Sequence, residues 1–145
     1  MIVLQKDIVF SNERLMQKKI EFLTANPFSL FYIITDLENQ ENQNAYGNLR
    51  FPEPRIRNKY PKVLGVNGSK NWANHYLKYM DMYRKMGFAT FEIQSFNSFN
   101  SRNVNSTVGD QTRVTTAMMI LDSYKALEVL GTDKRIDIDN LAITG

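Results

Sequence analysis

Apolar and polar positions along this chain follow two rhythms. Residues 19–24, Lys-Ile-Glu-Phe-Leu-Thr, change character at every second position, as a half-buried strand does. Asn26-Pro27 breaks that rhythm, because the residue before proline is held out of the helical region. Residues 28–34 are strongly apolar and suit a short helix or a strand. Core packing under a sheet is the expected use, and a lid or membrane-touching patch is the functional alternative. Residues 37–44 are rich in Asn, Gln and Glu and read as an exposed loop. Residues 45–51 set Leu49 and Phe51 on one face and Tyr46, Asn48 and Arg50 on the other, which predicts an edge-type strand stopped by Pro52 and Pro54. Upstream, Ser11-Asn12-Glu13-Arg14 reads as the cap of a short helix through Leu15 and Met16.

From Tyr60 onward the rhythms alternate. A short apolar strand in residues 60–66 runs into the turn Asn67-Gly68-Ser69, with Asn71 as the predicted N-cap of a helix. Trp72, Tyr76, Met80 and Tyr83 recur at helical spacing, and Leu77 and Met86 widen the stripe. Such a stripe suits packing against a sheet rather than a cofactor. Arg84 and Lys85 match the negative end of the helix dipole, and Gly87 is a terminator. Residues 88–93 read as the next strand. Residues 94–106 form a long polar loop of the kind that is functional or disordered in compact domains. A helix is predicted over residues 113–130, with Ala117, Leu121, Tyr124 and Leu127 on its packing face, Ile120 and Leu130 beside them, and Asp122 and Lys125 pointing elsewhere. Gly131 ends it, and residues 132–135 make a charged turn.

The last ten residues bring Asp137 and Asp139, which read as turn formers, into the apolar run Leu141-Ala142-Ile143 and then Thr144-Gly145. A continuous apolar run bounded by turn residues predicts a strand buried on both faces. Strand, helix, strand, helix, strand implies an α/β fold with right-handed crossovers and with residues 63–66, 88–93 and 141–143 as parallel neighbours. No internal repeat or linker divides the chain.

Composition narrows the chemistry. The 145 residues contain no cysteine and one histidine, which excludes disulfides, thiolate zinc sites and all-histidine metal sites. A net charge of +3 is diffuse and gives little footing for a nucleic-acid partner. The basic cluster Arg55, Arg57, Lys59 and Lys62 around Tyr60 reads as a solvated connection, with an anion patch as the alternative. No apolar segment approaches the ~18 residues of a membrane span, and the apolar start is too short for a secretory signal. A cytoplasmic protein without a membrane partner is expected.

The closing segment, Asp137-x-Asp139-Asn140-Leu141-Ala142-Ile143-Thr144-Gly145, resembles the approach to the nucleophile elbow of α/β-hydrolases, and specifically of the dienelactone hydrolase family. Gly47-x-Leu49-x-x-Pro52 resembles the strand before that family's first parallel strand. Gln94-Ser95-Phe96 … Arg102-Asn103-Val104 resembles its Asp-Ser-Phe … Arg-Gly-Val segment, with Gln94 in the Asp place and Asn103 in the Gly place. The likeness implies an α/β-hydrolase-like, mostly parallel sheet flanked by helices. Residues 1–145 would be a single incomplete domain, the N-terminal βαβαβ half.

The implied reaction is hydrolysis of a small-molecule ester or lactone through an acyl-enzyme, with a Ser or Cys nucleophile and no metal or organic cofactor. Gly145 would be the first glycine of the elbow, so nucleophile, acid and base would all lie beyond it. His75 precedes the elbow, in the wrong order for a triad base, and reads as a helix-surface or packing residue. The part of the site implied within the chain is an oxyanion hole at Asn67, Gly68 and Ser69, where the family often carries His-Gly. Backbone donors do not depend on the side chain that was replaced. Two other classes compete: a non-catalytic α/β module binding a small molecule or partner through residues 94–106, and an interaction protein derived from a hydrolase. Neither a Walker nor a G-x-G-x-x-G pattern is present.

Overall fold

A computed structural model of the chain describes residues 17–98, 102 and 113–145. The helix expected at Leu15 and Met16, and most of the 94–106 loop including Asn103, lie outside the described residues.

The chain begins with β1 (Gln17–Ala25), α1 (Leu30–Thr35), a 3-10 turn (Leu37–Asn39) and β2 (Asn42–Arg50). Then come β3 (Tyr60–Gly65), α2 (Asn74–Lys85), β4 (Ala89–Ile93), α3 (Thr116–Leu130) and β5 (Ile136–Thr144). The five strands form one sheet in the order β1-β2-β4-β3-β5. β2 runs antiparallel to both β1 and β4, whereas β3 is parallel to both β4 and β5. The three predicted parallel segments therefore share one sheet. Val63 is the central residue, opposite Thr90 on one side and Ala142 on the other.

Strand alternation assigns the two faces. Leu49, Leu64, Phe91 and Ile93 turn to one side and are fully buried against Ala126 and Leu130 of α3. Gly65 and Glu92 turn to the other side, towards α2. A Cβ on Gly65 would lie only 2.6 Å from the Trp72 ring and 2.7 Å from Met80, so glycine is what lets α2 sit close. The buried Glu92 carboxylate lies 3.3 Å from Arg84 and 3.5 Å from Arg50, and Arg84 also donates to Thr90 Oγ1 at 2.8 Å. Arg84 lies in the last turn of α2, as expected, and also ties the helix to the sheet. Gly87, with φ +96, terminates α2 as expected.

Several expectations are corrected. β2 is interior, lying between β1 and β4, and it starts at Asn42, inside the segment expected to be loop. Asn71 is not a helix cap. The N-cap of α2 is Ala73, and Asn71 shapes the preceding turn. Leu77, Met86 and Tyr124, all placed on packing faces, are exposed. Residues 28–34 do not pack under the sheet: Phe28, Leu30, Phe31 and Ile34 are exposed, the last at 82%, and α1 has no buried residue. β5 is the edge strand among the described residues, not a strand covered on both faces. Leu141 and Ile143 stand 41% and 57% exposed. Its start is irregular, because Ile136 pairs with Tyr60 whereas Leu141 pairs with Lys62, so residues 137–140 bulge out. Asp137 organises that bulge, accepting from the Asp139 N–H at 3.0 Å and from Asn140 Nδ2 at 2.8 Å.

Candidate functional site

Parallel sheets bind ligands at the carboxyl ends of their strands, and here those ends gather the segments singled out in the sequence. The Val66 N–H donates to the Thr144 carbonyl at 2.8 Å, so the chain leaving β3 stays paired with the end of β5. Gly145 follows directly, and a Cβ there would be 3.1 Å from the Val66 carbonyl oxygen. Val66, the residue that leads into Asn67-Gly68-Ser69, therefore lies against Gly145.

The turn after β3 closes through the Asn71 N–H, which donates to the Gly68 carbonyl at 3.0 Å. Asn71 has φ +64, the left-handed conformation that asparagine tolerates better than most residues. Its Oδ1 accepts the Trp72 N–H at 2.8 Å, which sets the orientation of its amide. Asn67 Nδ2 approaches the same oxygen at 3.4 Å, and Asn71 Nδ2 reaches Asn97 Oδ1 at 3.4 Å. Asn97 in turn donates to Gln94 Oε1 at 3.2 Å. An amide chain thus ties the turn to the start of the loop after β4. Trp72 Nε1 adds a second tie, to the Ile93 carbonyl at 2.7 Å.

The three oxyanion-hole candidates differ in exposure. Asn67 is 2% exposed and its Oδ1 has no hydrogen-bond partner. One N–H of its amide is directed at Asn71. Gly68 is half-buried, and a Cβ on it would meet the Tyr76 hydroxyl at 3.0 Å. Ser69 is exposed and borders a cavity of about 890 Å³ lined by Phe28, Leu30, Ile120, Leu127 and Ile143 among others. Among the described residues, no charged side chain lines this cavity. His75 is exposed on α2, its ring 4.0 Å from that of Tyr76, and reaches none of these groups.

Sequence reasoning missed one constellation. Arg102 and Asp122 have no exposed side-chain surface and meet at 2.6 Å. Ser95 Oγ donates to the same Asp122 oxygen at 2.7 Å. Arg102 also donates to Asn26 Oδ1 at 2.7 Å and to the Ala25 carbonyl at 2.6 Å. Burial pushes the Asp122 carboxyl above its ordinary pKa, and Arg102 and Ser95 pull against that. Asp122 was placed on the outward side of its helix, and it points inward instead. The cluster clamps the end of β1, the loop after β4 and α3 together, behind the amide chain. An acidic residue beside Leu121, one turn before the next charge on the helix, was the available signal.

An antiparallel entry, then three parallel strands with helices on both faces, makes this an α/β-hydrolase-like fold. Similar solved structures have the same fold at low sequence identity. The dienelactone hydrolase-like promiscuous phosphotriesterase P91 from metagenomic libraries matches with TM-score 0.51 and 12% identity, over 88% of this chain and 48% of its own. The hypothetical protein PA2218 from Pseudomonas aeruginosa matches with TM-score 0.55 and 15% identity, over 90% and 35%. Esterase Est22, solved with p-nitrophenol, gives TM-score 0.52 and 13% identity, over 88% and 34%. The chain spans half or less of the length of these structures. No family profile and no curated protein sequence matches it. Among the described residues, no helix is long and apolar enough to cross a membrane.

Proposed function

We propose that this chain is the N-terminal portion of a dienelactone-hydrolase-like enzyme acting on a small-molecule ester or lactone. Its nucleophile, acid and base lie beyond Gly145, and no catalytic side chain lies within it. Its contribution to the site is the backbone of Asn67, Gly68 and Ser69 as oxyanion donors, with Gly145 as the first glycine of the elbow. The observation that carries this reading is the contact of Val66, which leads into the turn, with Thr144 and Gly145 at the ends of two adjacent parallel strands. An oxyanion hole of this fold needs one donor from each of these two segments.

The 890 Å³ cavity beside Ser69, whose described lining is mostly apolar, supports a second reading, a module that binds an apolar small molecule without turning it over. One experiment separates the two. The chain is expressed as it stands and extended along its downstream reading frame, and both are assayed on p-nitrophenyl esters. The extended chain is expected to hydrolyse them and the short chain to be inert. In the extended form Gly68→Val is expected to lose tenfold or more in rate, since removing one oxyanion donor costs roughly 10²–10³. Asn67→Ala loses little. An inert extended chain that still binds the ester favours the module. Equal, near-wild-type rates for both variants remove the turn from the mechanism.

A further inference from the structure

The opposite end of the sheet, at the amino termini of β3 and β5, holds a second cavity of about 420 Å³. It is lined by Arg57, Lys59, Lys62, Asp137 and Asn140, with apolar walls including Phe88 and Leu141. Lys62 is unlike an ordinary surface lysine. It lies within β3 and is only 4% exposed, its stem covered and its ammonium beneath the β5 bulge. Nζ donates to the Asp137 carbonyl at 3.1 Å, and no carboxylate lies within ion-pairing distance among the described residues. An ammonium carries three donors, and one is used here. Burial pulls its pKa below the ordinary lysine value, against the opposing influence of Asp137 and Asp139.

The backbone on either side of Lys59 is tied down. The Arg57 N–H donates to the Tyr60 hydroxyl at 3.0 Å, and the Tyr60 N–H donates to the Arg135 carbonyl at 2.8 Å. The Arg57 and Lys59 side chains make no ion pair among the described residues. The one carboxylate lining the cavity, Asp137, already accepts from Asn140 and from the Asp139 N–H. The lining carries three cations and one carboxylate, with Asp139 also acting on Lys62, so the cavity keeps the net positive charge that a phosphate group needs.

We propose that this amino-end cavity, built from Arg57, Lys59, buried Lys62 and the 137–140 bulge, is an anion site for a phosphate group, whether free orthophosphate or a phosphomonoester. The site is separate from the turn at the carboxyl ends of the strands, so it stands whether or not the hydrolase reading does. Orthophosphate and phenyl phosphate are titrated into the whole chain at constant ionic strength, with chloride as control, followed by amide shifts of residues 57–62 and 137–140. Saturable shifts confined to these residues are expected, with affinity falling at least fivefold in Lys62→Met and in Arg57→Gln. Because Arg57 is exposed, its variant keeps the test valid if Lys62→Met does not fold. Tighter binding of phenyl phosphate identifies the monoester as the ligand, and tighter binding of orthophosphate identifies the free ion. Shifts that do not saturate, that chloride reproduces, or that survive Arg57→Gln unchanged would mean an adventitious ion only and would overturn the site.

Discussion

Arg102 and Asp122 show how much can depend on two side chains. Neither has exposed surface, so each charge is tolerated only through the other and through Ser95, Asn26 and the Ala25 carbonyl. Removing one partner strands the other in a poorly polarisable interior. Asp122→Ala is therefore expected to cost about 3–5 kcal/mol of stability by urea unfolding, and the double change Arg102→Met with Asp122→Leu much less. Equal losses for the single and double variants would show that the pair is not coupled. Asp133 illustrates the reverse case. Its hydrogen bonds to Arg135 hold its carboxyl down, to a pKa of about 2. A folded pKa below the unfolded value of about 3.9 contributes stability above that value and loses it as pH falls towards 2. Asp133→Asn should flatten the decline in stability over that acid window, and 1 M salt should shrink the difference, since the pair is partly exposed. A variant with an unchanged acid limb would rule the pair out as its source.

At the scale of elements, the β3–α2 contact is set by a missing side chain. Gly65 brings the Trp72 ring and Met80 within a distance that no Cβ tolerates. Gly65→Ala should cost about 1–3 kcal/mol by thermal or urea unfolding, as overpacking does, and should shift the indole environment of Trp72 in fluorescence. A neutral substitution would mean that the Met80 and Trp72 side-chain ends give way without cost. The β-α rhythm from Tyr60 onward was legible because each strand there is short, apolar and closed by a turn residue, so period and punctuation agreed. β2 looked like an edge because Tyr46, Asn48 and Arg50 are polar. Half-buried polar positions also suit an interior strand whose outer face carries ion pairs, as Glu92 with Arg50 does. Asp122 was misplaced because its partner Arg102 comes from a loop with no periodicity. Of the candidate site, the turn and the glycine could be read from sequence, but the amide chain through Asn71 and Asn97 could not. Those contacts join residues 26 positions apart through conformations that no local pattern encodes.

For the whole molecule, the question is what β5 and α1 do with their apolar surface. Among the described residues β5 is paired on one side only, with β3, and Ile138, Leu141 and Ile143 are exposed on it, as are Phe28, Phe31 and Ile34 around α1. An unpaired apolar edge presents a row of backbone donors and acceptors to any other chain with a free edge, including a second copy. The 145-residue chain should therefore self-associate, with sedimentation giving species larger than a monomer that grow with concentration. The route is distinguishable. If edge pairing drives association, Ile138→Lys with Ile143→Lys should restore the monomer, because lysines on an edge strand oppose pairing by charge and solvation. If the α1 surface drives it, Phe31→Lys with Ile34→Lys should do so and the β5 pair should not. A chain that stays monomeric and melts cooperatively at high concentration would show that the exposed edge is no liability, and would count against β5 as a strand that needs a neighbour.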